Sequence, residues 1–343
     1  MGEWKQENTI RVDDLPPPPF PYMQSGFVFN KDETCEVEHG FFTRIELVND
    51  FEQTLFLGNT TKYQIEEGKL KILQLPDSTW YERHIIKIAK DSLVLLTRDS
   101  TTQIFLRPDY SKITTLDYDK VILTYIGGLS LSAATNAVKI AISKKEGVLY
   151  CGGFKSKNEG WFTADISPTE FNKIKSRFDK ANLPTLQNDY TANVTDLSTT
   201  TVTFVKDNKI VKSISDYGGQ SPAEFQWAYI PLMFLHQKLA LKPVSPEIKS
   251  LYPFYSIETT IHNKKYVLSP PEELNVFLLY KKYQAKGDAY KLTQSLRFMK
   301  EDTLKFKLLT DGRYYKKENE STIYDFGYNI FDRTLEDKIF FVK

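Results

Sequence analysis

The pattern of apolar and polar positions is clearest between residues 199 and 239. Residues 199–205 are almost all β-branched or aromatic, a composition that favours a pleated, half-buried strand. Residues 206–209 favour a tight turn, because Asp and Asn side chains bond to their own backbone. Residues 210–215 form the partner strand, so the pattern predicts a β-hairpin.

A helix start follows this hairpin at Ser221. The Ser221 hydroxyl can accept from the first free amides of a helix, and Pro222 lacks the amide that would otherwise stay unpaired. Glu224 can reach back and complete a capping box. We therefore expect a helix that is capped by Ser221.

The hairpin-and-helix unit occurs twice more along the chain. The further hairpins are predicted at residues 137–150 and 256–268, and the Ser-Pro-x-Glu helix starts lie at Ser167 and Ser269. Three such units are either an internal repeat or a local solution that recurs independently. The sequence leaves both interpretations open.

Periodicity assigns one apolar face to each of the first two helices. The two faces consist of Phe171, Ile174, Phe178 and Ala181, and of Phe225, Ala228, Tyr229, Leu232 and Leu239. Pro231 falls within the second helix and is expected to kink it, because proline removes one backbone hydrogen bond.

Short strands without a helical period follow one another in the first third of the chain. After a first strand that begins at Gly2, the candidates are residues 27–29, 41–48, 54–57, 61–65, 69–73, 84–88, 92–96 and 103–106. Eight or so antiparallel strands predict an up-and-down barrel, because closure removes the exposed edges of a sheet.

Length and charge limit the number of domains and the class of partner. The chain has 343 residues, with 45 Lys and Arg against 44 Asp and Glu, which leaves a net charge of +1. This length predicts two or three domains, here residues 1–112, 117–243 and 244–343, and the strand and helix patterns predict an α+β fold class. The balanced charge argues against nucleic acid as the main partner, and no apolar run reaches the length of a membrane span.

The first strand contains Gly2-x-Trp4, and the series of short strands that follows it ends near Arg107. In these features the first third of the chain resembles the lipocalin-like domains of bacterial envelope proteins. The resemblance implies an antiparallel barrel whose interior holds a small apolar ligand. The candidate lining residues are Trp4, Phe27, Phe29, Tyr63 and Trp80. A filled aromatic core is the alternative.

A second set of short segments in a fixed order consists of residues 139–142, 148–152, 189–190, 194–200 and 216–218. In the order and spacing of these segments, residues 120–241 resemble a bacterial family found in envelope lipoproteins, the domain of unknown function 6438. Family members often have a cysteine pair before the first strand, where this chain has residues 128–133 without cysteine, so no thiol or metal role transfers. The resemblance implies a fold class and a cell-envelope context only. Because the chain starts almost inside its first structured segment, we also expect a trimmed leader that can carry a lipid anchor.

The common catalytic motifs are absent from the sequence. It contains no phosphate-binding or dinucleotide-binding glycine motif, no Gly-x-Ser-x-Gly and no His-Glu-x-x-His, and we expect no cofactor. Cys35 and His39 share one face of a strand, but zinc requires at least one more ligand, and we predict no metal site. Cys35 and Cys151 are predicted to be unbridged, because they belong to different predicted domains.

The strongest cluster of polar residues consists of Asp189, Tyr190, Asp196, Asp216 and Tyr217. Paired carboxylates perform acid–base chemistry if burial separates their pKa values. The alternative is that these short side chains cap turns next to strand ends.

Two functions of different class follow from these patterns. The first is a non-catalytic bacterial cell-envelope protein that binds a small apolar ligand or a protein partner. The second is a hydrolase-type enzyme with its carboxylate site at Asp196 and Asp216. The lack of a nucleophile-and-base arrangement in the sequence favours the first.

Overall fold

The computed structural model describes most of the chain up to residue 244 and parts of the remainder. The described residues are 1–10, 24–48, 51–97, 101–127, 138–153, 157–244, 256–261, 264–268, 271, 273–275, 278, 284–285, 292, 294–300, 303–325 and 329. They fold into two compact units. The first unit comprises Met1–Thr115, Lys173–Asn182 and Gly219–Lys238, and the second comprises Leu116–Asn172, Leu183–Gly218 and Leu239–Lys343.

The first unit contains a closed barrel of eight antiparallel strands. The strands are β1 (Gly2–Ile10), β2 (Gly26–Phe29), β3 (Thr34–Val48), β4 (Phe51–Glu66), β5 (Lys69–Gln74), β6 (Thr79–Ile88), β7 (Ser92–Leu96) and β8 (Thr102–Leu106). Each strand pairs with its neighbour in sequence, and β1 pairs with β8 to close the barrel. The predicted up-and-down barrel is thus confirmed.

The predicted limits of the barrel strands β3 and β4 are wrong. The predicted strands 54–57 and 61–65 are parts of one strand, β4, and β3 begins seven residues before the predicted start at residue 41. Gly40 and Gly58 lie in these strands with positive φ values of 75° and 104°, beside shifts of the β3–β4 register. Glycine accepts these angles without steric cost, so the chain bulges at both positions and continues as a strand.

Two helices follow the predicted Ser-Pro-x-Glu patterns. They are α1 (Pro168–Lys180) and α2 (Ala223–Met233). The Ser167 hydroxyl accepts from the Glu170 amide at 3.1 Å and caps α1, as predicted. In α2 the N-cap residue is Pro222, one position after the predicted Ser221, and Pro222 makes no side-chain capping bond. The side-chain amide of Gln226 donates through Nε2 to the Ser221 carbonyl at 2.7 Å beside this helix start.

The two helices differ in the extent of their burial. Phe171, Ile174, Phe178 and Ala181 are all buried, which confirms the apolar face predicted for α1. In α2, nine of the eleven residues are buried, so the helix is enclosed on all sides and a single apolar face describes it poorly. Leu239, which was assigned to the same face, lies beyond the end of α2, and Pro231 lies inside the helix.

The second unit contains a sheet of eight strands. These are β9 (Lys120–Ile126), β10 (Val138–Ser143), β11 (Gly147–Gly152), β12 (Gly160–Ala164), β13 (Asp189–Thr191), β14 (Thr199–Lys206), β15 (Lys209–Tyr217) and β16 (Lys242–Pro243), in the order β13-β15-β14-β9-β10-β11-β12-β16. The pair β13–β15 is parallel, and the other neighbouring pairs are antiparallel. This mixed sheet and the helices confirm the α+β fold class.

The hairpins predicted at residues 137–150 and 199–215 are confirmed as β10–β11 and β14–β15. Asp207 and Asn208 form the turn between β14 and β15 with positive φ values of 48° and 68°. Such angles at both central residues match the right-handed twist of a two-residue hairpin. The strand β12 separates the first hairpin from α1, whereas α2 follows β15 directly.

A second sheet of the same unit consists of seven strands. These are β17 (Ser256–Ile261), β18 (Lys264–Val267), β19 (Gln284–Ala285), β20 (Gln294–Lys300), β21 (Thr303–Thr310), β22 (Tyr314–Lys317) and β23 (Ile323–Asp325). The pair β17–β18 confirms the third predicted hairpin. Residues 271, 273–275 and 278 are helical, and the expected cap at Ser269 lies outside the described residues. The internal repeat and the domain boundaries at residues 112 and 243 stay predictions.

Candidate ligand-binding site

The interior of the barrel is filled over part of its length by aromatic and aliphatic side chains. The buried cluster contains Trp4, Phe27, Phe29, Cys35, Val37, Phe41, Leu70, Ile72, Leu93, Leu95 and Phe105. Many of these residues are two positions apart on the same strand, and such residues face the same side of a sheet, here the interior of the barrel. Phe27 lies at the centre of the aromatic contacts, with ring centroids 5.7 Å from Phe29 and 5.3 Å from Phe105.

A cavity of about 420 Å³ adjoins this cluster. Its lining comes from β2, β3, β5, β6 and the turn after β5, and consists of Phe27, Val37, His39, Gly40, Phe41, Phe42, Ile72, Gln74, Pro76, Tyr81 and Arg83. Pro76 is exposed, which places the mouth of the cavity at the β5–β6 turn. The volume lies within the range of about 300–1,000 Å³ that small-molecule pockets occupy.

Arg83 supplies the positive charge of the cavity wall. Its Cζ atom lies 5.2 Å from the Phe27 ring centroid and 4.9 Å from that of Tyr81. The Nε and Nη1 atoms are buried and have no hydrogen-bond partner among the described residues. Burial lowers the pKa of Arg83, and a hydrogen bond with the Tyr81 side chain opposes that shift. The guanidinium is therefore held between two rings with part of its donor capacity unused.

Two further groups near Arg83 are kept neutral by their surroundings. Burial lowers the pKa of His39, and the nearby Arg83 charge lowers it further. The His39 Nδ1 atom is buried without a partner among the described residues. Burial raises the pKa of Cys35 to about 12, so this thiol is a poor nucleophile and a poor metal ligand.

The two cysteines are free thiols, as predicted. Cys35 is fully buried in the barrel, and burial raises the pKa of Cys151 to about 11. The described residues contain no group of three or more His, Cys, Asp or Glu side chains placed to hold a metal ion. Cys35 and His39 therefore have no third ligand of these types in the described part of the chain.

The predicted lining residues divide between the core and the cavity. Phe27 lines the cavity and belongs to the core cluster. Trp4 and Phe29 are buried in that cluster, and Tyr63 packs against it while its hydroxyl donates to the Asn30 carbonyl at 3.1 Å. Trp80 is half-buried opposite Leu73, and neither the cluster nor the cavity lining includes it. Most of these aromatic side chains thus fill the barrel.

The polar cluster Asp189, Tyr190, Asp196, Asp216 and Tyr217 lies in the second unit, around β13 and β15. Asp196 is exposed with a φ of 69°, in a turn before β14. Asp216 is 1% exposed within β15, opposite Tyr190 and Thr200.

The tyrosines of this cluster hold the backbone near the strand ends. The Tyr190 hydroxyl accepts from the Gln187 amide at 3.0 Å, and the Tyr217 hydroxyl accepts from the Leu197 amide at 3.2 Å. Asp189 is exposed, and one of its carboxylate oxygens accepts from the Thr191 hydroxyl. None of these residues lines the barrel cavity. The contacts are those of turns and strand ends, which favours the structural interpretation of the cluster.

A second cavity in the first unit, of about 230 Å³, is lined mainly by charged side chains of β3, α1 and α2. Its charges neutralise one another. Arg177 donates to Glu36 at 2.8 Å and to Glu38 at 3.1 Å. Lys180 and Glu224 are paired with Glu3 and Lys5 of β1. Because these donors and acceptors are already satisfied within the protein, the barrel cavity is the stronger candidate for a ligand.

A protein-family model described as a domain of unknown function (DUF6438) matches residues 135–236. No curated protein and no solved structure matches the chain. The DUF6438 match begins just before β10 and ends in the 3-10 helix Leu235–Lys238, so it includes both α-helices. It agrees with the resemblance found in the sequence, and the barrel lies outside it.

The sequence interpretation named Phe27 alone among the lining residues of the cavity, and Arg83 is the charged residue that it missed. A signal was present, because Tyr81, Arg83 and Ile85 alternate along β6 and Ile85 packs against the barrel core. A charged residue at an inward-facing position of a predicted barrel strand is uncommon and marks a candidate binding residue. The inward face of β6 could be assigned only once its register against β5 was known.

Proposed function

We propose that this protein is a non-catalytic binding protein whose barrel holds a small ligand with an apolar body. The observation that carries the proposal is the cavity of about 420 Å³ with Phe27, Val37, Phe41, Phe42 and Ile72 in its wall. Such a concave, mostly apolar space with a few polar groups is the usual form of a small-molecule site. The partner is accordingly a small molecule, with a protein partner as the alternative.

A binding role is also supported by the chemistry of the cavity wall. Cys35 lies in the adjoining core with its pKa raised to about 12 by burial, and the described residues of the wall include no carboxylate. Nucleophilic catalysis requires an activated nucleophile beside a base, and this set of side chains does not provide one. The hydrolase alternative at Asp196 and Asp216 has no specific observation in its favour.

We further propose that the protein works in a bacterial cell envelope. The support is the DUF6438 match together with the resemblance of the barrel to envelope proteins. Within the described residues, no helix combines the length and apolar character that a membrane crossing requires. Fractionation of source cells would test the location, and recovery of the protein in the cytoplasmic fraction would contradict it.

The test of ligand binding uses the neutral fluorescent probe N-phenyl-1-naphthylamine on the full chain. Gln74 lines the cavity next to its mouth, so Gln74→Trp should fill the entrance and weaken probe binding about tenfold or more. Leu73→Trp is the matched control, because the neighbouring position on β5 faces the other side of the strand. Equal probe affinity in the wild type and in both variants would place any binding outside the cavity and contradict the proposal.

A further inference from the structure

The cavity wall contains polar atoms that the described part of the protein leaves without partners. They are Arg83 Nε, Arg83 Nη1 and His39 Nδ1, each buried. Buried polar groups are almost always hydrogen-bonded, and a buried charge without a partner is costly. Such atoms in the wall of a cavity indicate that a molecule bound in the cavity would supply their hydrogen-bond partners.

The charge on Arg83 has no counter-ion among the described residues. The groups that raise its pKa are Tyr81 and Cys35, and no carboxylate is among them. By contrast, Arg177 of α1 has two carboxylates within 3.1 Å. The missing partner of Arg83 is therefore an anion, which a guanidinium binds through several N–H donors at once.

The remainder of the wall determines the other end of the ligand. Phe27, Val37, Phe41, Phe42 and Ile72 present apolar surface to the same cavity. A hydrated inorganic anion would leave this surface without contacts, whereas an aliphatic or aromatic body would bury it.

We propose that the ligand of the barrel is an amphiphilic organic anion, with its acidic group bound to Arg83 and its apolar body against the aromatic wall. This inference rests on the proposed binding function and adds the chemical class of the ligand. His39 Nδ1 lies on the same wall and offers a further hydrogen bond to the acidic group.

The experiment compares octanoate with 1-octanol, which have the same chain length and differ in the charge of the head group. Each is titrated at neutral pH against wild-type protein loaded with N-phenyl-1-naphthylamine. Octanoate should displace the probe at a concentration about tenfold lower than 1-octanol, because one hydrogen bond to a charged group contributes about that factor. If octanoate and 1-octanol displaced the probe at equal concentrations, or if 1-octanol displaced it at the lower concentration, the inference would be overturned.

Two methionine variants identify the residue responsible. Arg83→Met replaces the buried charge with an apolar side chain of similar length and should abolish the preference for octanoate while probe binding persists. Lys87→Met removes a charge from an exposed position of the same strand and should leave the preference unchanged. A preference retained in Arg83→Met, or lost in Lys87→Met, would contradict the assignment to Arg83.

The two proposals fail in different ways. If the wild type binds the neutral probe in the cavity without preferring octanoate, the ligand class is wrong and the binding function stands. If the Gln74→Trp test fails, the binding function is wrong. If Arg83→Met does not fold, Arg83→Lys replaces it in the experiment. Because lysine keeps the positive charge but lacks the planar group of N–H donors, this variant should prefer octanoate less strongly than the wild type does.

Discussion

The guanidinium of Arg107 lies over the indole ring of Trp4, with its Cζ atom 4.3 Å from the ring centroid. Its Nε donates to the Lys90 carbonyl at 2.6 Å and its Nη2 donates to the Met1 carbonyl at 3.1 Å. A Cβ atom on Gly2 would collide with Arg107 Nη1. The Gly-x-Trp pattern therefore has a physical reason here, because the glycine leaves room for the arginine that covers the tryptophan.

We expect Arg107→Met to destabilise the protein. The methionine keeps apolar cover over Trp4 but removes the cation–π contact and both hydrogen bonds, a loss of about 1–2 kcal/mol in the free energy of unfolding. Urea denaturation measures it. Lys62→Met, at an exposed position of β4, is the control and should change stability by less than about 0.5 kcal/mol. Equal effects of the two variants would show that the Arg107–Trp4 contact contributes nothing.

Arg177→Met is expected to have a larger effect. Arg177 is paired with Glu36 and with Glu38, which is 4% exposed, so its removal leaves a buried carboxylate without its counter-charge. The expected cost is about 3 kcal/mol. Lys175→Met, which removes the partly exposed pair with Asp179 in the same helix, should cost about 0.5 kcal/mol or less.

The deficit in the free energy of unfolding that Arg177→Met causes should depend on pH. Burial raises the pKa of Glu38, and the Arg177 charge opposes that rise. A carboxyl whose pKa is higher in the folded state favours folding below its unfolded pKa and loses that contribution as the pH rises through the folded value. The deficit should thus be largest near neutral pH, shrink as the pH falls through the raised pKa of Glu38, and be smallest below the ordinary glutamate value of 4.5. A deficit independent of pH would contradict this account.

His236 should make the protein sensitive to mild acid. Burial lowers the pKa of His236 from 6.5 to about 4, although its Nδ1 donates to the Met233 carbonyl at 3.1 Å. The unfolded state therefore binds a proton at higher pH than the folded state. The contribution of His236 to stability is constant above about pH 6.5 and is lost as the pH falls from 6.5 to about 4, by about 3 kcal/mol.

The variant His236→Asn tests this assignment, since the asparagine amide can donate to the same carbonyl and does not titrate. Thermal unfolding between pH 4 and pH 7 should show a flatter profile for His236→Asn than for the wild type. His84→Asn replaces an exposed histidine and should leave the profile unchanged. An unchanged profile in His236→Asn would place the acid sensitivity elsewhere.

Local sequence patterns predicted the secondary structure well in those segments where the adjacent residues determine the conformation. The β14–β15 hairpin follows from the apolar run and the Asp207-Asn208 turn, and the cap of α1 follows from Ser167 and Glu170, three residues apart. The closed barrel followed from strand spacing and the need to remove edges. Each of these signals extends over a few residues or depends on a general rule of sheet formation.

The candidate site was predicted only in part. Phe27 was the one proposed lining residue that lies in the cavity wall, whereas Trp4 and Phe29 are in the filled core. Aromatic character alone does not distinguish the two positions, because both are apolar and both face inward. The difference depends on how many neighbouring side chains reach each point along the barrel.

The sequence by itself determined the strand and helix types, the turns and the free cysteines of this protein. Only the tertiary structure decided that Gly40 and Gly58 bulge within continuous strands, that Pro222 is the N-cap residue of α2, and that Arg83 borders a cavity without a counter-ion among the described residues. Local conformation depends on the steric and hydrogen-bonding preferences of adjacent residues. The pairing and burial of a side chain depend on distant segments, which meet it only once the barrel has closed.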